Sequence, residues 1–122
     1  MILIVDDDIA VRTSLSLLLN TAGYTVETAD NAEGAFQKIV NANPQLVILD
    51  LNFSNDTSGR EGMSLLEKVR QVNTNVPIVL ITGWASIELA VQGMKAGAND
   101  FINKPWSNEH VLQSVEDRKS VV

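Results

Sequence analysis

Five side chains of this 122-residue chain could share one reaction: Asp6, Asp7, Asp50, Thr82 and Lys104. Each follows or ends a short apolar run. Three carboxylates gathered at one point repel one another, and each disfavours ionisation of its neighbours. A hard divalent cation relieves that repulsion. Carboxylates with carbonyl oxygens suit Mg2+, which keeps waters and shares itself with substrate phosphate. Lys104 adds a positive charge and Thr82 a hydroxyl donor. Carboxylate, magnesium, ammonium and hydroxyl around one point are the parts that stabilise a phosphoryl group in transfer. Asp50 is then the natural nucleophile, with an aspartyl phosphate as its product. Taken singly, these residues have ordinary explanations. An aspartate ahead of a helix caps it or meets its dipole, the reading that suits Asp8, and a lysine before proline is commonly solvated surface. The chemistry depends on the fold bringing them together.

The elements that must do so are legible as alternating patterns. Leu46-Val47-Ile48-Leu49 is an unbroken apolar run ended by Asp50, the pattern of a strand covered on both faces in a parallel sheet. Met1 to Val5 and Ile78 to Ile81 read the same way. Tyr24 to Thr28 and Asp100 to Asn103 predict two shorter strands. Between them lie helical spacings: Val11, Leu15, Leu18, Leu19 and Ala22, closed by Gly23; Ala32, Ala35, Phe36, Ile39 and Val40 behind an Asn31 cap; Leu65, Leu66, Val69 and Val72 from near Glu61. Two more follow: Ile87, Ala90, Val91 and Met94 behind a Ser86 cap and closed by Gly97; and Val111, Leu112 and Val115 behind Ser107. Leu89 falls off the inward face so defined and is a candidate for a partner patch. Five strand–helix alternations predict an α/β fold with a parallel sheet and right-handed crossovers. In the flavodoxin-like strand order 2-1-3-4-5, the ends of strands one, three, four and five lie side by side, where such sheets bind ligands.

Composition narrows the function classes. The length suits one domain spanning 1–122. A net charge of −6 argues against nucleic-acid or anionic-membrane binding by this segment. With no cysteine and only His110, thiolate or multi-histidine metal sites and cysteine nucleophiles are excluded. No apolar run approaches the roughly 20 residues that span a bilayer, and no signal-peptide pattern follows Met1, so a soluble cytoplasmic protein is expected.

Four motifs in order, Ile2-Leu-Ile-Val-Asp-Asp-Asp8, Leu46-Val-Ile-Leu-Asp50, Ile81-Thr82-Gly83 and Asp100-Phe-Ile-Asn-Lys-Pro105, resemble the receiver domain of two-component response regulators over essentially the whole chain. The resemblance implies a flavodoxin-like (CheY-like) three-layer sandwich. It implies that Asp50 accepts a phosphoryl group from a sensor histidine kinase or a phosphotransfer protein. Mg2+ would be held by Asp7, Asp50 and the main-chain carbonyl of Asn52, with Asp6 acting mostly through water. It further implies that Thr82 and Lys104 contact the phosphoryl oxygens, that Lys104-Pro105 is cis, and that Thr82 and Phe101 form a switch. That switch would remodel the face made by the fourth helix, fifth strand and fifth helix, which could also form a homodimer. Such a chain is a phosphoacceptor rather than an enzyme, supporting its own phosphorylation and slow autodephosphorylation. Trp84 and Ser86-Ile-Glu-Leu-Ala-Val-Gln-Gly93 look similar to receivers of NtrC-type transcription regulators. Two departures stand out. Asn52-Phe53 replaces the family's usual Met-Pro, with Gly62 coming later than the family's glycine and so a longer loop; and Phe101 stands where tyrosine is common. A magnesium-dependent phosphatase of the haloacid-dehalogenase kind is the alternative with the same ingredients. That class needs an aspartate two residues after its nucleophile, where this chain has Asn52.

Overall fold

The computed structural model describes residues 1–51, 60–83 and 87–119. Asn52, Trp84 and Ser86, singled out in the sequence, lie outside them. The elements alternate as expected: β1 (Ile2–Val5), α1 (Ile9–Thr21), β2 (Val26–Ala29), α2 (Ala32–Ala42), β3 (Leu46–Asp50), α3 (Arg60–Val72), β4 (Ile78–Thr82), α4 (Ile87–Lys95), β5 (Asp100–Asn103) and α5 (Asn108–Lys119). All strand pairs are parallel, in the order β2-β1-β3-β4-β5. Among the described residues, no helix is long and apolar enough to cross a membrane.

The unbroken apolar runs are explained by a sheet covered on both sides. Leu3, Val5, Val47, Leu49, Ile78 and Leu80 pack against Ala35 and Ile39 of α2 and Leu65, Leu66 and Val69 of α3. The intervening Ile2, Ile4, Leu46, Ile48, Val79, Ile81 and Ile102 pack against Leu15 and Leu19 of α1 and Val111 and Val115 of α5. Alternation along a strand sends successive side chains to opposite faces, so each run must be apolar throughout.

Local signals set the helix ends. Asp8 caps α1 by accepting from the Ala10 N–H at 2.9 Å, and Asn31 caps α2 by accepting from Gly34 at 2.7 Å. Gly23 (φ 99°) turns the chain out of α1. Its N–H and that of Tyr24 still bond to carbonyls of α1, so β2 begins at Val26 rather than at Tyr24.

Three inward assignments are corrected. Val40 and Val72 are exposed, Val72 in the last turn of its helix. The larger correction is α4. Its inward line is Leu89, Ala90 and Gly93, whereas Ile87, Val91 and Met94 are exposed, Val91 by 47%. The small residues decide it: a Cβ on Gly93 would stand 2.4 Å from Leu80 Cδ1. The helix therefore approaches the sheet on its glycine side and turns its bulkier apolar residues outward. Leu89 packs on the core and is not a surface patch.

At the opposite end of the sheet from Asp50, Arg70 ties three segments together. Its guanidinium donates to the carbonyls of Gly97 (2.9 Å) and Asn73 (3.1 Å) and to Asn99 Oδ1 (3.0 Å). Asn99 Oδ1 also accepts from the Ile78 N–H at 2.9 Å. Arg70→Met keeps the aliphatic stem and removes these bonds. It is expected to cost about 1.5–3 kcal/mol in urea unfolding, the scale of bonds to a charged donor; a midpoint equal to wild type would rule the clamp out as a stabilising element.

Candidate functional site

The strand ends named in the sequence converge where the register requires. Val5 pairs with Leu49, so the next residues along the two strands, Asp6 and Asp50, come side by side and face the same way. Both are deeply buried, at 1% and 4% exposure. Asp6 stays in the ladder through its N–H bond to the Ala29 carbonyl (3.1 Å), and its Oδ1 accepts from the Asp8 N–H at 2.9 Å. Lys104 arrives from the end of β5, its N–H bonded to the Thr82 carbonyl at 2.7 Å. Its ammonium lies 2.7 Å from Asp50 Oδ2. The Lys104–Pro105 peptide is cis.

Burial, opposed by the bond from the Asp8 N–H, raises the Asp6 carboxyl to about 7, with the charge of Asp50 and a side-chain hydrogen bond to it adding to the rise. That bond exists only while a proton is shared between the carboxyls. With both ionised, the buried Asp6 Oδ2 has no donor among the described residues. An orphaned, buried carboxylate oxygen beside a second carboxylate fits a hard cation. Of the three acids named in the sequence, Asp6 and Asp50 form a facing buried pair. Among the described residues no three His, Cys, Asp or Glu side chains stand together as a metal-holding group. Asp7 follows Asp6 directly, in the bend after β1, and is half-buried. Asn52 lies outside the described residues.

Thr82 is fully buried, and its hydroxyl lies 3.5 Å from Asn103 Oδ1, its partner across the β4–β5 ladder. That contact is long for a hydroxyl bond, so little holds the hydroxyl in place. Phe101, one residue before Ile102 and on the other face of the sheet, is half-buried against the core beneath α2, α3 and α4.

Two features escaped the sequence reading. Asn103 reads as an ordinary strand-end residue, and only the ladder places it against Thr82. Gly62 was noticed for its late position; the structure shows its use. A Cβ there would stand 2.9 Å from the Leu51 carbonyl oxygen and 3.0 Å from Leu51 Cα. The first turn of α3 thus rests directly on the backbone that follows Asp50.

The sequence model of the response regulator receiver domain family matches residues 2–116. The chain is 36% identical over 115 residues to the nitrogen assimilation regulatory protein NtrX of Azorhizobium caulinodans, covering 94% of this chain and 25% of that protein. It is 32% identical over 115 residues to the transcriptional regulatory protein FixJ of Bradyrhizobium diazoefficiens, covering 94% of this chain and 54% of that protein. The chain therefore spans between a quarter and about half of these relatives. The crystal structure of the receiver domain of NtrX from Brucella abortus superposes with a TM-score of 0.93 at 30% identity, covering 100% of both chains.

Proposed function

The chain belongs to the response regulator receiver domain family, and from that premise we propose that it is a phosphorylation switch whose acceptor is Asp50. The supporting observation is the buried Asp50 carboxylate, held 2.7 Å from Lys104 at the end of the central strand and faced by Asp6. The donor is a phosphohistidine of a sensor kinase or phosphotransfer protein. A carboxylate oxygen of Asp50 attacks phosphorus, the P–N bond breaks as the P–O bond forms, and the electron pair returns to the imidazole. Lys104 keeps its charge beside the reacting carboxylate throughout and stabilises the phosphoryl oxygens. The Thr82 hydroxyl, weakly held by Asn103, is free to turn to a phosphoryl oxygen. The residues that would hold Mg2+ are Asp7, Asp50 and the main-chain carbonyl of Asn52, with the buried Asp6 carboxylate acting mostly through water. The bound ion supplies charge neutralisation to the phosphoryl group.

The readout we propose is the face made by α4, β5 and α5. Movement of Thr82 leaves room for the half-buried Phe101, and exposed Ile87, Val91 and Met94 on α4 give this face apolar surface for an output domain or a second copy of the chain. A transcriptional output fits relatives described as transcriptional and assimilation regulators. The phosphatase alternative is not favoured: the matched family is a signalling domain, and Asn52 replaces the acid that class requires.

The test is incubation with Mg2+ and acetyl phosphate followed by intact mass measurement. Wild type is expected to gain one phosphoryl group, Asp50→Ala none, and wild type in excess EDTA none. An equal, stable gain by Asp50→Ala overturns the assignment.

A further inference from the structure

The end of β1 is braced by a closed ring of hydrogen bonds. Asp6 Oδ1 accepts from the Asp8 N–H at 2.9 Å, and Asp8 Oδ1 accepts from Ala10 at 2.9 Å. The Asp8 carbonyl accepts from the Arg12 N–H at 3.1 Å. The ring closes through the Arg12 side chain, whose Nη1 donates back to the Asp6 carbonyl at 2.8 Å. That carbonyl belongs to the Asp6–Asp7 peptide, so its bond to a guanidinium fixes the plane joining the two acids and the direction in which each side chain leaves. Nothing in the sequence marks Arg12, which sits on the half-exposed flank of α1 and reads as a solvated helix residue.

Two other roles suit the geometry less well. As a counter-ion, Arg12 would stand against a carboxylate, but among the described residues it makes no ion pair; its partner is a carbonyl. As a cap, it would satisfy a free helix end, yet the Asp6 carbonyl lies ahead of α1 and α1 already has Asp8.

We propose that Arg12 is a positioning residue for the acidic end of β1, holding the Asp6–Asp7 peptide so that a divalent cation meets pre-oriented carboxylates. The inference rests on the reading that these acids bind Mg2+. Groups already held in place lose less freedom when the cation arrives, and removal of such a supporting bond weakens metal affinity. The planar guanidinium matters as well as its charge, because a lysine has no fixed fork with which to orient the peptide.

The test is Mg2+ titration by isothermal calorimetry on wild type, Arg12→Lys and Arg12→Met, with thermal midpoints measured in metal-free buffer. Arg12→Met is expected to weaken Mg2+ binding about tenfold, and Arg12→Lys to fall between it and wild type. Mn2+ broadening of the Asp7 and Asp8 amide signals should need correspondingly more metal in both variants. A variant that melts earlier yet binds Mg2+ as tightly as wild type has lost only a structural bond, which overturns the proposal. If Arg12→Met does not fold, Arg12→Lys decides, since it keeps stem and charge. No Mg2+ binding by wild type itself refutes the metal reading and this inference with it; wild-type binding with unaltered variants refutes the Arg12 role alone.

Discussion

Asp6→Asn is expected to melt well above wild type in metal-free buffer at pH 8, and close to wild type at pH 5. The Asp6 carboxyl sits at about 7 in the folded chain against an ordinary value of 3.8, because burial and then Asp50 oppose its charge. Below about pH 4 it is protonated in both states, and the favourable neutral interaction is fully present. Between roughly pH 4 and 7 the unfolded chain releases this proton while the folded chain keeps it. Stability therefore falls as pH rises through that window, and levels off above it. A displacement of this size is worth on the order of 4 kcal/mol, or about 15 °C in the midpoint of a domain this long. Asparagine removes the charge, keeps an oxygen for the Asp8 N–H, and offers an amide donor toward Asp50. Thermal melts from pH 5 to 8 check this, with EDTA present. A wild-type midpoint that does not fall across that range, or an asparagine variant no more stable at pH 8, refutes the account. With Mg2+ added, wild type should recover stability by mass action, and Asp6→Asn should respond less.

Gly62→Ala is expected to destabilise the chain by about 2–3 kcal/mol and to slow phosphorylation of Asp50. At an unconstrained helical position the same change stabilises by up to about 1 kcal/mol, since alanine favours helix over glycine. Here the sign reverses because the added Cβ would meet backbone at 2.9 Å and 3.0 Å, both atoms of Leu51. A side-chain tip could swing away. The Leu51 backbone cannot, because its N–H bonds to the Ile81 carbonyl at 3.2 Å and its neighbour Asp50 ends β3. Relief must come from moving the start of α3 or the acceptor itself. Urea unfolding measures the first consequence, and the rate of mass gain with acetyl phosphate the second. A variant as stable as wild type, phosphorylated at the same rate, shows that α3 does not bear on the acceptor.

What could be read directly from the chain was whatever depends on local pattern. Continuous apolar runs of β-branched and leucine residues specify strands buried on both faces, and their alternation with helical spacing specifies a parallel sheet. Asp8, Asn31 and Gly23 act on their own neighbours, so their residue types were enough to place them. Asp50, Asp6 and Lys104 could be named because each ends or directly follows a strand, and strand ends on one sheet edge share a site. Tertiary structure decided what depends on register and approach. Pairing Val5 with Leu49 sets Asp6 rather than Asp7 against Asp50, a one-residue distinction that composition cannot make. On α4, the hydrophobic pattern pointed to Val91 and Met94 as core. Gly93 brings the helix onto the Leu80 side chain and turns that face outward, because close packing rewards the smallest side chain where the helix meets the sheet's core residues. Arg12 had no readable signal, since it acts through a carbonyl six residues back, and the position of Gly62 did not reveal its use, which lies in the absence of a side chain. A sequence lists which groups are available for chemistry; which of them face one another is set by hydrogen-bond register and backbone contact, and those exist only once the chain has folded.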